Sequence, residues 1–288
     1  MNSLSSQTVN DRVQTMSAAD FNSSQISTSS LQRVLTIARN TFREAVRDRI
    51  LYNLVIFALL MIGGSAFLGE LSADQESKVI VDMGLSAMLI FGVFIAIFVG
   101  VSLVYKEIER RTVYAIFSKP IGRGEFLIGK YLGLCLTLAV NVAVMGIGVS
   151  LALLFVRKSW NPMTLSIWPA VLLVYLELML ITAIALLLSS FSSPALSALL
   201  SFMLFIIGHF SADLKAFADA LGTTGARVIF GALYYLLPNL SYFSFITPAG
   251  HGGIPEGRMI IMAILYSAVY SSVLLSAATL IFSRRNFK

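Results

Sequence analysis

Six apolar runs dominate this chain, and each is long enough to be read as a membrane crossing. A helix needs roughly 20 mainly apolar residues to cross about 30 Å of hydrocarbon. Segments at about 50–69, 83–104, 131–156, 168–190, 194–211 and 259–282 meet that condition. The expected fold class is therefore an all-α integral membrane protein with six transmembrane helices. Composition agrees: 57% of residues are hydrophobic and 12% charged, against about a quarter charged in soluble domains.

A seventh apolar stretch, 230–248, is interrupted by Pro238–Asn239 and ends at Pro248. Broken backbone at membrane depth has to be satisfied by protein or water. The stretch reads as a re-entrant helical hairpin between spans five and six. Residues 1–30 are rich in Ser, Thr, Asn and Gln and lack an apolar core of signal-peptide length. They read as a disordered cytoplasmic tail, set apart from a transmembrane domain over 31–288.

The net charge of +6 does not point to nucleic acid, because the basic residues flank the apolar spans. With the N-terminus inside and six spans, 15 of the 21 Lys and Arg fall on the cytoplasmic side and six on the outer side. That is the positive-inside bias, and it places both termini in the cytoplasm at the inner (plasma) membrane. The first outer loop is expected to be acidic, with Glu70, Asp74, Glu76 and Asp82. The single cysteine, Cys135, excludes an intrachain disulfide. No Cys/His cluster has metal-ligand spacing, and His209 and His251 are far apart in sequence.

Two segments have a second periodicity. In 31–49, Leu31, Val34, Leu35, Ala38, Phe42, Ala45 and Val46 repeat with helical spacing, and Arg33, Arg39, Arg43 and Arg47 fall off that stripe. This is the pattern of a helix lying in the interface with its arginines toward lipid headgroups. The other segment, 105–130, is a charged island between spans two and three, with six Lys/Arg and three Asp/Glu. On a helical wheel Tyr105, Ile108, Thr112, Ala115 and Ile116 share one face, and Lys106, Glu107 and Arg110 lie opposite. Glu107 and Arg111 form a favourable i, i+4 pair. From Val113 onward the polar face fails: Val113, Tyr114 and Phe117 project where solvent is expected. Apolar residues rimmed by charge mark a protein contact, although a helix folded back on the bundle gives the same pattern. Pro120 ends or kinks the helix, and Gly122 and Gly124 permit a tight turn before the next span near Phe126.

The same island contains a false motif. Gly124 to Lys130 fits G-x-x-x-x-G-K, yet the next residue is Tyr131 where a phosphate loop needs Ser or Thr. The intervening residues are apolar, and the segment runs into a membrane span.

The run Glu107-x-Glu109-x-x-Thr112, then Ser118-x-Pro120-x-x-Arg123, then Gly129-Lys130, resembles the permease subunits of type-2 ABC transporters. So do the amphipathic first helix, the six spans and the Leu237-Pro238-Asn239-Leu240 element. The resemblance covers about 31–285. It implies a permease paired with a second permease, as a homodimer, each docking one cytoplasmic ABC ATPase, two copies in all. ATP and magnesium would be bound by that partner, so this chain is expected to hold no cofactor and to have no enzymatic activity of its own. Export is the implied direction. The resemblance makes 105–130 the coupling segment, with Glu107, Glu109, Arg110, Arg111 and Thr112 at the docking surface. Val113, Tyr114 and Phe117 would add apolar contact, and Pro120, Gly122 and Arg123 would shape the elbow.

Within the spans, Glu177 stands near the middle of span four. An ionisable group there is costly and is a functional candidate. It would line a translocation path or act as a packing device. Asn53 and Asn141 are weaker candidates for the same path, or interhelical hydrogen bonds. Gly129-x-x-x-Gly133 permits close helix approach. Other readings need features the chain supplies thinly. An intramembrane hydrolase needs a nucleophile and base at spaced positions. An ion-coupled secondary carrier would rest on Glu177 and the broken stretch. A non-transporting membrane anchor or assembly factor would leave the island unexplained.

Overall fold

A computed structural model describes residues 30–47, 49–71, 75–109, 122–157, 166–211, 225, 231 and 237–284. The tail expected over 1–30 lies outside them apart from Ser30, as does most of 212–236. Every regular element among the described residues is helical. In chain order they are α1 (Ser30–Val46), α2 (Arg49–Leu71), α3 (Glu76–Glu109), α4 (Arg123–Arg157), α5 (Trp168–Ser189), α6 (Pro194–His209), a 3-10 turn (Leu240–Phe243), α7 (Ile246–Gly250) and α8 (Gly257–Arg284).

Four of these helices are long and apolar enough to cross a membrane: Glu76–Leu103 in α3, Arg123–Val156 in α4, Trp168–Ser189 in α5 and Gly257–Ile281 in α8. The protein is thus a multi-pass helical membrane protein. The apolar part of α2, Leu54–Ser65, is shorter. So is α6, whose 16 residues extend about 24 Å at 1.5 Å per residue.

The core is built around α5, which packs against α3, α4, α6 and α8. Its span is 78% buried, whereas that of α8 is 22% buried. An apolar helix with so little of its surface covered by protein leaves the rest to lipid or a second chain. Polar side chains between these helices find backbone acceptors. Tyr175 Oη donates to the Cys135 carbonyl at 3.3 Å, and Ser267 Oγ to the Leu176 carbonyl at 3.1 Å. Pro169 and Pro194 open α5 and α6, where a missing N–H costs nothing. Pro194 also favours the extended Ser193 (φ −72°, ψ 158°) that separates the two helices.

Two expectations change. Helix α3 begins at Glu76, well before residue 83, so Glu76 and Asp82 belong to a helix and only 72–75 connect α2 to α3. The reason is electrostatic: Glu76 sits in the first turn, where the helix dipole favours a negative charge. Around Pro238–Asn239 the chain does break as its sequence indicates, into the 3-10 turn and the five-residue α7. Phe243, expected from the sequence to join Tyr234, Tyr235, Tyr242 and Phe245 in an aromatic belt at the outer interface, is instead 1% exposed and packed in the core, while Tyr242 is exposed.

Candidate functional site

The charged island emerges directly from a membrane helix. Helix α3 runs unbroken through its apolar span to Glu109, so Glu107 and Glu109 occupy its last turn. Arg110, Arg111, Thr112, Val113, Tyr114, Phe117 and Pro120 lie outside the described residues. Arg123, expected in the elbow, is the first residue of α4, which starts three residues before Phe126. Glu125 explains the early start. Its Oε2 accepts from the Gly122 backbone N–H at 3.3 Å, closing one half of a capping box.

Helix α1 grips this start of α4. Arg33 Nη2 donates to Glu125 Oε1 at 3.1 Å, and Arg33 Nε lies 3.0 Å from Oε2. Lys130 Nζ lies 3.5 Å from Glu44 Oε2 and 5.7 Å from the centre of the Phe126 ring. The last residue of the false phosphate loop is therefore buried against α1. Between the two ion pairs, glycines bring the helices together. A Cβ on Gly133 would stand 2.5 Å from the Ala38 carbonyl oxygen, and one on Gly129 2.7 Å from Ile37 Cβ. Either would force the helices apart.

This contact corrects the reading of α1. Arg33 was expected among lipid headgroups and instead pairs with Glu125. Arg39, Arg43 and Arg47 are exposed, as the stripe predicts. Helix α1 buries Ala38, Thr41 and Ala45 and leaves Leu31 and Leu35 exposed. Small residues win the contact because only they allow the backbone of α1 to meet Gly133. The G-x-x-x-G spacing signals a close approach, but it carries no information on which helix approaches.

Glu177 is 1% exposed on α5, and its Oε1 lies 3.4 Å from His209 Nδ1 at the end of α6. The sequence reading set this histidine aside. It was findable: α5 and α6 form an antiparallel hairpin, and the two residues stand at comparable distances from the Ser190–Ser193 turn. Asn141 is buried on α4 with no hydrogen-bond partner for Nδ2. Asn53 lies in α2, and its side chain is outside the described residues.

A second polar cluster, absent from the sequence-based candidates, ties α6 to α8. Asn239 Oδ1 accepts from Ser211 Oγ at 2.9 Å, from the Ser241 backbone N–H at 3.1 Å and from Ser241 Oγ. The Asn239 backbone N–H donates to Tyr266 Oη at 2.8 Å. A Cβ on Gly208 would stand 2.9 Å from the Pro238 carbonyl oxygen.

These features define a helical membrane protein in which an amphipathic helix braces the start of the spanning helix that follows the charged segment. The profile of the family described as ABC-2 family transporter protein matches residues 35–286, and the chain belongs to that family of ABC transporter permeases. It is also similar to two curated relatives, each named probable ABC transporter permease protein NosY. The Pseudomonas aeruginosa protein is 31% identical over 38% of this chain, and the Stutzerimonas stutzeri protein 28% identical over 40%. The matches span 42% and 43% of those relatives' own lengths, less than half in each case.

Proposed function

We propose that this chain is the membrane-spanning permease subunit of an ATP-driven exporter, with 105–130 as the segment that docks a separate cytoplasmic ATPase. On this reading α2 and α6 complete six crossings, both termini are cytoplasmic, and the membrane is the inner (plasma) membrane. The chain pairs with a second copy of itself and two ATPase subunits. ATP and magnesium belong to the ATPase, and this chain has no catalytic role.

The observation that best supports the reading is the way the island is held. Its first part continues a spanning helix to Glu109, and its exit at Arg123–Lys130 is fastened to α1 by two ion pairs. A segment anchored at both ends can pass force to the bundle. A loose connecting loop would absorb it.

The test is to purify the tagged full-length chain from its native membranes, as wild type and as the Glu107→Ala/Glu109→Ala variant. The wild type is expected to bring an ABC ATPase with it, and the variant to lose it while keeping its fold by circular dichroism. Equal recovery of the ATPase with both chains, together with unchanged transport, would remove the docking assignment.

A further inference from the structure

Glu177 Oε1 and His209 Nδ1 face each other at 3.4 Å, and among the described residues neither atom has a hydrogen-bond partner elsewhere. A carboxylate oxygen and an unprotonated ring nitrogen are both acceptors. Two acceptors buried at this separation repel unless a proton lies between them, and a bare carboxylate that is 1% exposed would be uncompensated in a membrane core. A neutral imidazole with its hydrogen on Nδ1 would satisfy both atoms but would leave the carboxylate charge buried without a counterion. The pair therefore needs one proton more than a carboxylate and a neutral imidazole hold, whichever of the two atoms carries it.

Among the described residues, no other charge reaches this place from the elements packed on α5. Asp, Glu, Lys, Arg and His are absent from 83–105 in α3, 131–156 in α4 and 259–283 in α8. Apart from Glu177 itself, α5 has no such residue, and α6 has none apart from His209. The titratable groups these elements do carry are the phenols of Tyr105, Tyr131, Tyr175, Tyr242, Tyr266 and Tyr270 and the thiol of Cys135. Phenols ordinarily keep their protons to about pH 10 and thiols to about pH 8.5. Among the described residues, nothing beside Glu177 can thus replace His209 as its counterpart. Proton exchange has a route, because the His209 side chain is 29% exposed.

We propose that Glu177 and His209 form a single proton-binding site, holding one proton between Oε1 and Nδ1, and that this proton fastens α6 to the central helix. Two consequences can be measured on the full-length protein in detergent. Only two histidines are present. In the His251→Asn variant, selectively labelled imidazole reports His209 alone. Its ring nitrogen resonances are expected to stay constant from pH 6 to 8. A complete titration from imidazolium to neutral imidazole in that range would overturn the proposal.

The second readout is stability. The unfolded chain releases its glutamate proton near pH 4.3 and its histidine proton near about 6.5. Above that, the folded pair holds one proton more than the unfolded chain. The folding equilibrium should then weaken about tenfold for each pH unit of rise, until the folded pair gives up its proton. Glu177→Gln keeps an N–H donor for Nδ1 but removes the titrating group, so it is expected to fold and to lose this alkaline slope. A variant profile parallel to that of the wild type would equally refute the site.

Discussion

Two contacts that fasten peripheral elements to the bundle are made in opposite ways. The α1–α4 contact is glycine against backbone, flanked by ion pairs. The contact joining α6, Asn239 and α8 is a set of neutral hydrogen bonds. They lie at opposite ends of α8: Thr279 Cγ2 is 3.3 Å from where a Gly124 Cβ would be, and Tyr266 lies about 20 Å away along the axis. The difference follows burial. Arg33 and Glu125 keep 26% and 20% of their side chains exposed, so water lowers the cost of charge. Ser211 is fully buried and Asn239 8% exposed. An ion pair there would lose more on desolvation than attraction returns. The Arg33–Glu125 pair can break and re-form, since its charges have solvent to return to, whereas Lys130, 4% exposed, stays buried beside Glu44. The second contact cannot open without stranding buried polar groups.

The largest effect should come from Gly133→Leu. Its side chain would meet the Ala38 carbonyl oxygen, which is backbone and cannot rotate aside. Overpacking of this kind typically costs about 1–3 kcal/mol, with this site at the upper end. Loss of disulfide cross-linking between cysteines placed on α1 and α4 would report the separation. Retained cross-linking would mean that α1 is not held by the glycine contact.

Asn239→Ala should come next. It deprives the buried Ser211 Oγ of its acceptor, which costs about 1–3 kcal/mol, while the half-buried Ser241 donors can turn to water. A lowered Tm of the detergent-solubilised protein checks this. Unchanged stability would show that water or lipid replaces Asn239, and the contrast between wet and dry contacts would fail. Gly208→Ala is expected to destabilise by about 1 kcal/mol or more through the Pro238 carbonyl contact. Here Leu240 can move but the backbone cannot, and the loss should be non-additive with Asn239→Ala. The smallest effect belongs to the exposed ion pair. A double-mutant cycle on Arg33 and Glu125 should give a coupling of about 0.2–1 kcal/mol, reduced by high salt. A salt-independent coupling would place the pair among the dry contacts.

Helix positions were legible because hydrocarbon imposes one requirement on every span, and a run such as 168–190 satisfies it without reference to any neighbour. The charged island and the break at Pro238–Asn239 were legible for the same reason, being local departures from that requirement. What required the structure was pairing between segments. Arg33 reads as an interface arginine until Glu125 is placed beside it. Phe243 reads as a belt aromatic until Leu240 and Tyr266 enclose it. The partner of Glu177 could be counted from the α5–α6 turn, but only once those helices are known to be antiparallel neighbours. The acidic outer loop failed because a run of residues around Asp82 is as compatible with a helix extension as with a loop, and Glu76 tips the choice.

Helix α3 is one continuous rod of 34 residues, about 50 Å long. It ends at the charged island and begins beside α7, where the Asp82 carboxyl lies against Gly250 with no room for a Cβ. A rod of this kind stores little. A shift along its axis at Glu109 is delivered almost undiminished to Asp82, on the far face of the bundle. On the docking reading proposed above, the place to look for a response is therefore the small helix 246–250, which meets the start of this rod where Gly250 lies against Asp82.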